Sequence, residues 1–400
     1  MTGIVDCFDP IFFSRIHTLA FDMPSPSENG HRPSGEPAGP RTDLLSPDPT
    51  DRTRAEPLYR STADTDAIVV VCGAGGFIGG HLVADLLRQG YSEVRAVDLK
   101  PPNRWFQTFP QADNRSLDLR EKDHCYRVLE NADHVYNLAA DMGGMGFIEN
   151  NKALCMLSVT INTHLLMAAR DMDVDRYFYS SSACVYNQEK QDTPDVEPLS
   201  EADAYPALAE DGYGWEKLFS ERMCRHFRED FDLTTRVARY HNVYGPFGTY
   251  DGGREKAPAA LTRKAVAAKL SGDPSIVIWG DGTQTRSFMY IDDCVRGTQK
   301  IMHSGITDPI NLGSDELVTI NELVDVIEEA VGVGLDREYD RTKPQGVDGR
   351  NSDNTKILNE LGWAPPTALR DGMQVTADWI EQQMRRHREA ETPSRFAVAQ

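Results

Sequence analysis

The chain has few cysteines, a shortage of basic residues and no long apolar run, and each shortage excludes a class of protein. Its seven cysteines are scattered, without a C-x-x-C pair or a histidine cluster at ligand spacing, so neither a metal site nor a disulfide framework is expected. With 42 basic and 62 acidic residues, the formal charge of −20 disfavours nucleic acid and anionic membranes as partners. No apolar run approaches the roughly 20 residues that cross a bilayer, so no membrane partner is expected.

The N-terminus lacks both a targeting signal and the composition of a folded domain. Asp9 and Pro10 stand where a signal peptide needs an unbroken apolar core, so we expect a cytoplasmic protein. Residues 24–65 are dense in Pro, Ser, Gly, Asp and Arg, and bury too little apolar surface to offset their ordering entropy. We predict a disordered leader over residues 1–65, with a partner-binding arm as the alternative, and a flexible tail over residues 386–400.

Beyond residue 65 the pattern changes to short β-rich runs that alternate with helices. This alternation predicts an α/β fold: a Rossmann-type doubly wound parallel sheet with a smaller C-terminal substrate-binding lobe. We assign the sheet domain mainly to residues 66–245 and the lobe, interleaved with it, mainly to residues 246–385. The clearest expected strands are residues 68–72, 94–98, 134–138, 176–180 and 234–240, and the clearest expected helices are residues 77–89, 151–171, 213–230, 257–270, 319–330 and 371–386.

A glycine-rich string follows the first predicted strand and opens the first predicted helix of this domain. It reads Gly73-Ala-Gly-Gly76-Phe77-Ile78-Gly79. Gly73 permits a tight turn, Gly76 lets backbone N–H groups approach a pyrophosphate, and Gly79 lets the helix pack on the sheet. We therefore expect this string, Phe77 and Ile78 included, to bind the phosphates of a dinucleotide.

Two carboxylates follow at positions that suit the rest of such a cofactor. Asp98 ends the second strand about 20 residues further on, where it would accept hydrogen bonds from the ribose hydroxyls and repel a 2′-phosphate. NAD is therefore the expected cofactor, although Lys100 nearby weakens the preference over NADP. Asp118, in a Leu-Asp-Leu string, suits a contact with the adenine.

A Tyr and a Lys four residues apart, in Tyr213-Gly-Trp-Glu-Lys217, predict hydride chemistry on an alcohol. On a helix they share one face, so that the ammonium of Lys217 can lower the pKa of the phenol and make it a usable base. The hydroxyl of Ser182, in the string Ser180-Ser-Ser-Ala-Cys184, would complete the hydrogen bonds around a substrate alcohol.

These elements resemble the extended short-chain dehydrogenase/reductase family. Longer strings resemble its group of GDP-mannose 3,5-epimerases, over about residues 66–385. Most sugar-nucleotide epimerases and dehydratases share the glycine-rich loop and Tyr-x-x-x-Lys, whereas Gly-Gly-Met-Gly and Gly-Arg-Glu-Lys-Ala-Pro are typical of this group. The matching strings are Asn137-Leu-Ala-Ala-Asp-Met-Gly-Gly-Met-Gly-Phe-Ile148, Ser181-Ser-Ala-Cys184, Tyr240-His-Asn-Val-Tyr-Gly-Pro-Phe-Gly-Thr249, Gly252-Gly-Arg-Glu-Lys-Ala-Pro-Ala-Ala260, Gly280-Asp-Gly-Thr-Gln-Thr-Arg-Ser-Phe288 and Gly349-Arg-Asn-Ser-Asp-Asn354.

The resemblance implies an acid–base pair and a substrate site. Oxidising a sugar C4 alcohol to a ketone makes the C3 and C5 protons acidic, and each inversion then needs one group to remove a proton and another to deliver one. The resemblance assigns this pair to Cys184 and Lys256. The alternatives are a buried structural thiol and a solvated loop lysine. The residues that match substrate positions are Gly143, Ser182, Ala183, Cys184, Asn242, Glu255, Lys256, Ala257, Lys264, Gln284, Thr285, Arg286 and Arg350, and Ala139 matches a cofactor position.

Three functions follow as hypotheses. The first is NAD-dependent epimerisation of GDP-mannose at C3 and C5, or at C5 alone, to GDP-L-galactose and GDP-L-gulose. The second is another nucleotide-sugar 4-epimerase or a 4,6-dehydratase, although dehydratases carry an Asp-Glu pair where this chain has Ala183-Cys184. The third is a non-catalytic NAD-sensing Rossmann protein, a class that typically loses the Tyr or the Lys. Residues 151–171 and 213–230 match helices of an intersubunit bundle in the family, which implies a homodimer.

Overall fold

The computed structural model describes residues 49–60 and 65–391, and a parallel sheet of seven strands lies at its centre. In chain order the strands are β1 (Ile68–Cys72), β2 (Glu93–Asp98), β3 (Asp113–Ser116), β4 (His134–Asn137), β5 (Arg176–Ser182), β6 (Thr235–Tyr240), β7 (Asn242–Tyr244), β8 (Ser275–Trp279), β9 (Thr285–Tyr290), β10 (Ile310–Leu312), β11 (Leu317–Thr319), β12 (Asp336–Asp340) and β13 (Gly349–Arg350). The central sheet has the order β10-β6-β5-β4-β1-β2-β3. The strand order reverses between β1 and β4, and sheets of this kind bind ligands in the crevice outside the carboxyl ends of such strands.

Helices cover both faces of this sheet, and β1 explains why. Val69 and Val71 pack in one apolar cluster with α2 (Phe77–Gln89) and α9 (Ile291–Met302), whereas Val70 and Cys72 pack in another with α3 (Lys122–Leu129) and α6 (Ser158–Asp171). Successive side chains of a strand point to opposite faces, so a continuous apolar run such as Ile-Val-Val-Val-Cys needs a cover on each side. In chain order the helices are α1 (Pro49–Arg54), α2 (Phe77–Gln89), α3 (Lys122–Leu129), α4 (Met145–Asn150), α5 (Lys152–Met156), α6 (Ser158–Asp171), α7 (Tyr213–Phe231), α8 (Ala257–Ser271), α9 (Ile291–Met302), α10 (Ile320–Val331), α11 (Thr355–Leu361) and α12 (Leu369–Glu391). The predicted Rossmann-type doubly wound fold is confirmed.

The smaller lobe is built around β9. This strand pairs antiparallel with β11 and parallel with β7 and β13, while β8 pairs in parallel with β12. Helices α8, α10 and α12 pack against one another beside these strands. The chain returns to the central sheet within this part, because α9 packs on β6 and β10 pairs with β6. Residues 291–312 therefore belong to the sheet layer although they follow residue 245.

The predicted leader over residues 1–65 is wrong for residues 49–60. There α1 forms, Leu58 is 7% exposed and Arg52 is 2% exposed. The guanidinium of Arg52 lies 3.9 Å from the centroid of the Phe247 ring, and the Leu58 N–H donates to Asp85 Oδ1 at 2.7 Å. Composition suggested disorder because it does not record that a few side chains of a polar segment fit a site on the fold. Residues 1–48 and 61–64 lie outside the described part of the chain.

The predicted tail is also too long. Helix α12 continues to Glu391, so residues 386–391 are helical, and residues 392–400 lie outside the described residues.

The expected helix over residues 151–171 divides into α5 and α6 at Leu157. By length and composition, Lys152–Asp171 is the one helical stretch in the described chain that is apolar enough to cross a membrane. Leu165 and Leu166 are fully buried against the sheet, so this part of the stretch belongs to the core. Leu157, by contrast, is 51% exposed. Some apolar residues of this stretch therefore pack in the core, whereas others are exposed on the surface.

Candidate active site

The glycine-rich loop has the shape that its sequence predicts. Gly73 has a φ of +86°, and a Cβ there would lie 2.9 Å from the carbonyl carbon of Leu138, which follows β4. A Cβ at Gly79 would lie 2.2 Å from the carbonyl oxygen of Gly73, so helix α2 can approach the loop only without a side chain. Gly76 caps α2, and Phe77 and Ile78 form its first turn. The loop therefore presents the positive end of a helix to the crevice, as a pyrophosphate requires.

The carboxylate predicted to bind ribose stands at the rim of this loop. Asp98 ends β2 and accepts a hydrogen bond at 2.9 Å from the Lys100 N–H. Burial raises the pKa of Asp98, and this backbone hydrogen bond opposes the rise. The Lys100 ammonium donates to the carbonyl oxygen of Gly75 at 2.7 Å, so its charge is held on the loop. A residue that sequence reasoning missed, Trp105, lies over Gly75 and donates to the Lys100 carbonyl oxygen.

Asp118 and Ala139 lie at the ends of the neighbouring strands. Asp118 makes a two-pronged contact with Arg120, whose hydrogen bonds lower the pKa of the carboxyl. The Asp118 carboxylate, which was expected to contact adenine, is thus paired with Arg120 two residues further along the chain. Ala139 follows β4, and its N–H donates to Asn137 Oδ1 at 3.2 Å.

Tyr213 and Lys217 lie on the first turns of α7, which begins beside the end of β5. The N-terminus of this helix can reach Cys184 because residue 214 is glycine: a Cβ there would lie 2.2 Å from the Cys184 carbonyl oxygen. Lys217 is 2% exposed, donates to the Ser180 carbonyl oxygen at 3.0 Å, and lies 5.5 Å from the centroid of the Tyr213 ring.

The sequence predicts that the Lys217 ammonium lowers the pKa of the Tyr213 phenol, but the net shift of this pKa in the structure is upward. Burial raises the pKa of Tyr213 well above its ordinary value, and the Cys184 and Glu216 side chains raise it further. A hydrogen bond with Ser182 acts in the opposite direction. The sequence argument counted the neighbouring ammonium and omitted the desolvation of the phenol, which is the larger effect.

Cys184 lies in a single 3₁₀ turn, residues 183–185, directly after β5. The Cys184 N–H donates to Ser182 Oγ at 3.2 Å, so the serine that precedes the turn also caps it. Ala183 and Cys184 are buried, and the thiol packs with Ile148, Cys155 and Tyr213. Burial raises the pKa of the Cys184 thiol, and the Glu210 carboxylate raises it further.

Arg350, from β13, brings a buried positive charge to the thiol. It is 7% exposed, donates from Nε to Gln191 Oε1 at 2.6 Å, and has Nη1 3.5 Å from Cys184 Sγ. Its Nη2 lies 3.4 Å from Glu210 Oε2. Sequence reasoning missed both Gln191 and Glu210. Glu210 had a weak signal, because it precedes Tyr213 by three residues, and Gln191 had none.

The other half of the predicted acid–base pair comes from a loop that closes on the Gly-Gly-Met-Gly string. The Gly144 N–H donates to the Arg254 carbonyl oxygen at 3.1 Å, and a Cβ on Gly144 would lie 2.4 Å from the Glu255 carbonyl oxygen. Lys256 caps α8 and is partly buried. Burial lowers the pKa of its ammonium. The charges of Cys184 and Glu210 raise this pKa, whereas the charge of Arg350 lowers it. The two family-typical strings therefore meet in space, and they place Lys256 within electrostatic range of Cys184.

The remaining predicted substrate residues lie on β7, β9, α8 and the loops beside them. Arg286, on β9, donates to the carbonyl oxygens of Thr285 and Val347, and burial lowers its pKa to about 10. Lys264 donates to the Val277 carbonyl oxygen. Its pKa is also lowered by burial.

Other members of that set are held by neighbouring chain segments. Gln284 contacts Gln345, and Thr285 contacts the Pro194 carbonyl oxygen. Gly143 packs against Phe147. The members not yet described keep local contacts: Asn242 with the Ser287 carbonyl oxygen at 3.5 Å, Glu255 with the Gly253 N–H at 2.7 Å, and Ala257 at the start of α8.

Within residues 49–60 and 65–391, no group of three or more His, Cys, Asp or Glu side chains could hold a metal ion.

Comparisons with known proteins agree with this geometry. The model of the NAD dependent epimerase/dehydratase family matches residues 69–313. GDP-mannose 3,5-epimerase 1 of Oryza sativa subsp. indica is 45% identical over 324 residues, which is 80% of this chain and 83% of that protein. GDP-mannose 3,5-epimerase of Arabidopsis thaliana is 43% identical over 322 residues, 80% of this chain and 84% of that protein.

Solved structures give the same fold. UDP-glucose 4-epimerase of Thermotoga maritima superposes with a TM-score of 0.72 at 24% identity, covering 79% of this chain and 99% of that one. UDP-glucuronic acid 4-epimerase of Bacillus cereus, solved with UDP-glucuronic acid and NAD, has a TM-score of 0.68 at 26% identity, covering 79% and 99%. The chain therefore belongs to the NAD dependent epimerase/dehydratase family as an NAD-using enzyme, and within that family its sequence lies with the GDP-mannose 3,5-epimerases.

Proposed function

We propose that this enzyme inverts GDP-mannose at C3 and C5, or at C5 alone, through a transient 4-keto sugar. The products would be GDP-L-galactose and GDP-L-gulose. The observation that carries the proposal is that Cys184 packs with Tyr213 and interacts electrostatically with Lys256, although the three come from distant segments of the chain. A 4-epimerase needs only the Tyr213 centre, since it removes no C–H proton from carbon next to the ketone. The thiol and the amine fit the additional step.

The chain's own residues divide the reaction between two places. Tyr213 would take the proton of the C4 hydroxyl, with Ser182 and Lys217 fixing the phenol and the sugar. NAD, when bound, supplies the acceptor for the C4 hydride and returns that hydride at the end of the cycle. The glycine-rich loop and Asp98 fit that cofactor, because no Cβ obstructs the approach to the N-terminus of α2 and a carboxylate stands at the ribose position.

Cys184 and Lys256 would then exchange protons with C5 and C3. Burial raises the pKa of the thiol and lowers that of the ammonium, which favours the protonated thiol and the neutral amine. In these forms one member can deliver a proton and the other can remove one. Arg286, Arg350 and Lys264 supply positive charge for the diphosphate and for the developing enolate.

The test is product analysis by NMR after incubation of the purified protein with GDP-mannose in D₂O. We expect deuterium at C5, and at C3 in any galacto product, with none at C4 because the same hydride returns there. Deuterium at neither C3 nor C5, with inversion at C4, would establish a 4-epimerase instead. Loss of water from the sugar would establish a 4,6-dehydratase. Tight NAD binding without any turnover of nucleotide sugars would support the NAD-sensing alternative.

We further propose a homodimer that acts in the cytoplasm. Met156, Leu157, Trp215 and Phe219 are 40–55% exposed and lie on α5, at its junction with α6, and on α7, which packs against both helices. Exposed apolar side chains grouped in this way are typical of an interface. Light scattering should give twice the chain mass for the wild type and a monomer for Phe219→Asp. A monomeric wild type would refute the dimer, and cell fractionation checks the compartment.

A further inference from the structure

A cavity of about 700 Å³ opens beside Glu210, and its walls come from residues 145–152, 188–192, 210–211 and 345–348. Its lining includes Gln191 and Glu210, which also contact Arg350, together with the exposed pair Lys152 and Asp211. None of the functions assigned above uses this cavity. It gives water access to Glu210.

Glu210 is the residue that joins this cavity to Cys184. Its N–H donates to the Cys184 carbonyl oxygen at 3.0 Å, which holds the two residues side by side. The carboxyl is 7% exposed, and Oε2 lies 3.4 Å from Arg350 Nη2. The other oxygen, Oε1, is buried and has no hydrogen-bond partner among the described residues. A buried carboxyl oxygen without a partner costs free energy, and a catalytic role is one explanation for such a group.

The reaction proposed above creates a need for such a group. Each inversion moves one proton from carbon to one member of the pair and one proton from the other member to carbon. After one inversion the pair therefore holds its protons in the wrong order. A second inversion of the same sense requires that one member regain a proton from water and the other release one. Cys184 is 8% exposed, so its thiol needs a carrier.

We propose that Glu210 is the proton relay of Cys184, linking its thiol to the water of the neighbouring cavity. After Cys184 has given its proton to carbon, the Glu210 carboxylate takes a proton from cavity water and passes it to the Cys184 thiolate, so that the S–H bond reforms and Glu210 is again a carboxylate. The proton gained by Lys256 is released to solvent, so that charge and protons balance over the cycle. Glu210 thus acts through Cys184 and need not touch the sugar. This inference rests on the proposed epimerase function.

The electrostatics of the cluster support the relay. The Glu210 carboxylate raises the pKa of the Cys184 thiol, after the larger effect of burial, while Arg350 lowers it. The groups that face the thiol are Glu210, Arg350, Lys256 and Tyr213. Glu210 is the one carboxylate of that set, and it is also the one that lines the cavity.

The experiment compares the first turnover with later ones in Glu210→Gln, by rapid quench with GDP-mannose in D₂O. Glutamine keeps the size and one hydrogen bond to Arg350 but carries no exchangeable acid proton. We expect a normal first inversion at C5, followed by turnovers that are slower by about tenfold or more, since general acid–base groups contribute at least this much. The wild type should show no such difference. Asp211→Asn is the matched control, because Asp211 lines the same cavity but pairs with Lys152 at 2.6 Å.

A second variant separates the relay from a structural role. In Glu210→Ala, imidazole admitted through the cavity should restore the later turnovers, with an efficiency that follows the pKa of substituted imidazoles. A group that only held Arg350 in place would not be replaced by a neutral or cationic ring. Equal first and later turnovers in Glu210→Gln, or no rescue of Glu210→Ala, would overturn the relay. Wild type that incorporates no deuterium at C3 or C5 would instead overturn the epimerase function itself, and the relay with it.

Discussion

The cofactor-facing and sugar-facing sides of the site are built in different ways. On the cofactor side, residues 73–79 form one continuous loop, and Tyr213 and Lys217 lie four residues apart on one helix. On the sugar side, Cys184, Glu210, Lys256 and Arg350 come from four separate segments. Each part of the cofactor-facing side is thus a local motif, because its residues are close together in the sequence. The sugar-facing side exists only after the lobe has closed on the sheet.

The charged side chains of the two sides also have different kinds of partner. Lys217 and Lys100 each donate to a backbone carbonyl oxygen that no side-chain substitution removes, and Lys217 also lies 3.7 Å from the Glu216 carboxylate. Cys184 and Glu210 instead face the guanidinium of Arg350, whose position depends on Gln191. Substitutions on the sugar side should therefore be strongly non-additive, whereas those on the cofactor side should behave more independently.

The largest effect is expected from Tyr213→Phe, which tests whether the cofactor side starts the whole reaction. Turnover should fall by about 10²–10⁴-fold, because only the phenolic acid–base group is lost. Bound NAD and the unfolding midpoint, measured on the same preparation, should stay as in the wild type. Near-normal deuterium exchange at C5 in this variant would mean that oxidation at C4 does not precede proton removal.

Cys184→Ser should break the sugar side while leaving the cofactor side intact. The hydroxyl keeps the size of the thiol and is a far weaker acid–base group, so exchange at C5 should fall by about 10²–10⁴-fold. Oxidation at C4 should continue and appear as a slow rise in NADH absorbance after substrate is added. If C5 exchange proceeded at the wild-type rate, Cys184 would have no part in the proton transfer.

Asp98→Ala should weaken the cofactor side without a direct effect on proton exchange. Hydrogen bonds to charged groups contribute roughly 1.5–3 kcal/mol, so NAD affinity should fall roughly 10- to 100-fold and discrimination against NADP should decrease. Titration of both dinucleotides measures this, with Asp113→Ala on the neighbouring strand as a control. Unchanged selectivity would show that Asp98 does not contact the ribose.

Residues 49–60 also support the cofactor-facing side, because they pack against α2, the helix that follows the glycine-rich loop. Removing residues 1–48 should leave the unfolding free energy unchanged if that part adds no core, whereas removing residues 1–60 also removes Leu58. Loss of a buried leucine side chain costs about 2–5 kcal/mol, so the longer deletion should unfold at clearly lower urea. Leu58→Ala in the full chain is the matched point variant. Equal urea midpoints for the two deletions would mean that residues 49–60 contribute nothing.

The smallest effect concerns His241, which supports the sugar side from the end of β6. Burial lowers its pKa to about 3 from an ordinary value of 6.5, so the folded chain keeps this imidazole neutral while the unfolded chain protonates it. Stability from this group is complete above pH 6.5 and is lost as the pH falls towards 3. At pH 5.5 the loss should be about 1.4 kcal/mol. Urea titrations at pH 7.5 and 5.5 should show a smaller pH effect in His241→Asn, and an equal effect would contradict the assignment.

Sequence alone determined the cofactor side of this protein. The Ile-Val-Val-Val-Cys run, the glycine-rich loop, Asp98 and the Tyr213–Lys217 spacing encode contacts between near neighbours, and such contacts follow from backbone geometry and side-chain period. Sequence also gave Cys184 and Lys256 through family-typical strings, but no spacing rule could show that they meet.

Only the tertiary structure decided the rest. It gave Glu210 and Gln191 their places around Arg350, and it packed residues 49–60 against α2 although their composition indicated disorder. It also reversed the expected influence on the Tyr213 phenol. The physical reason is the same in each case: burial and long-range contacts depend on which distant segments share a volume, and desolvation then outweighs the charge of a neighbour in sequence.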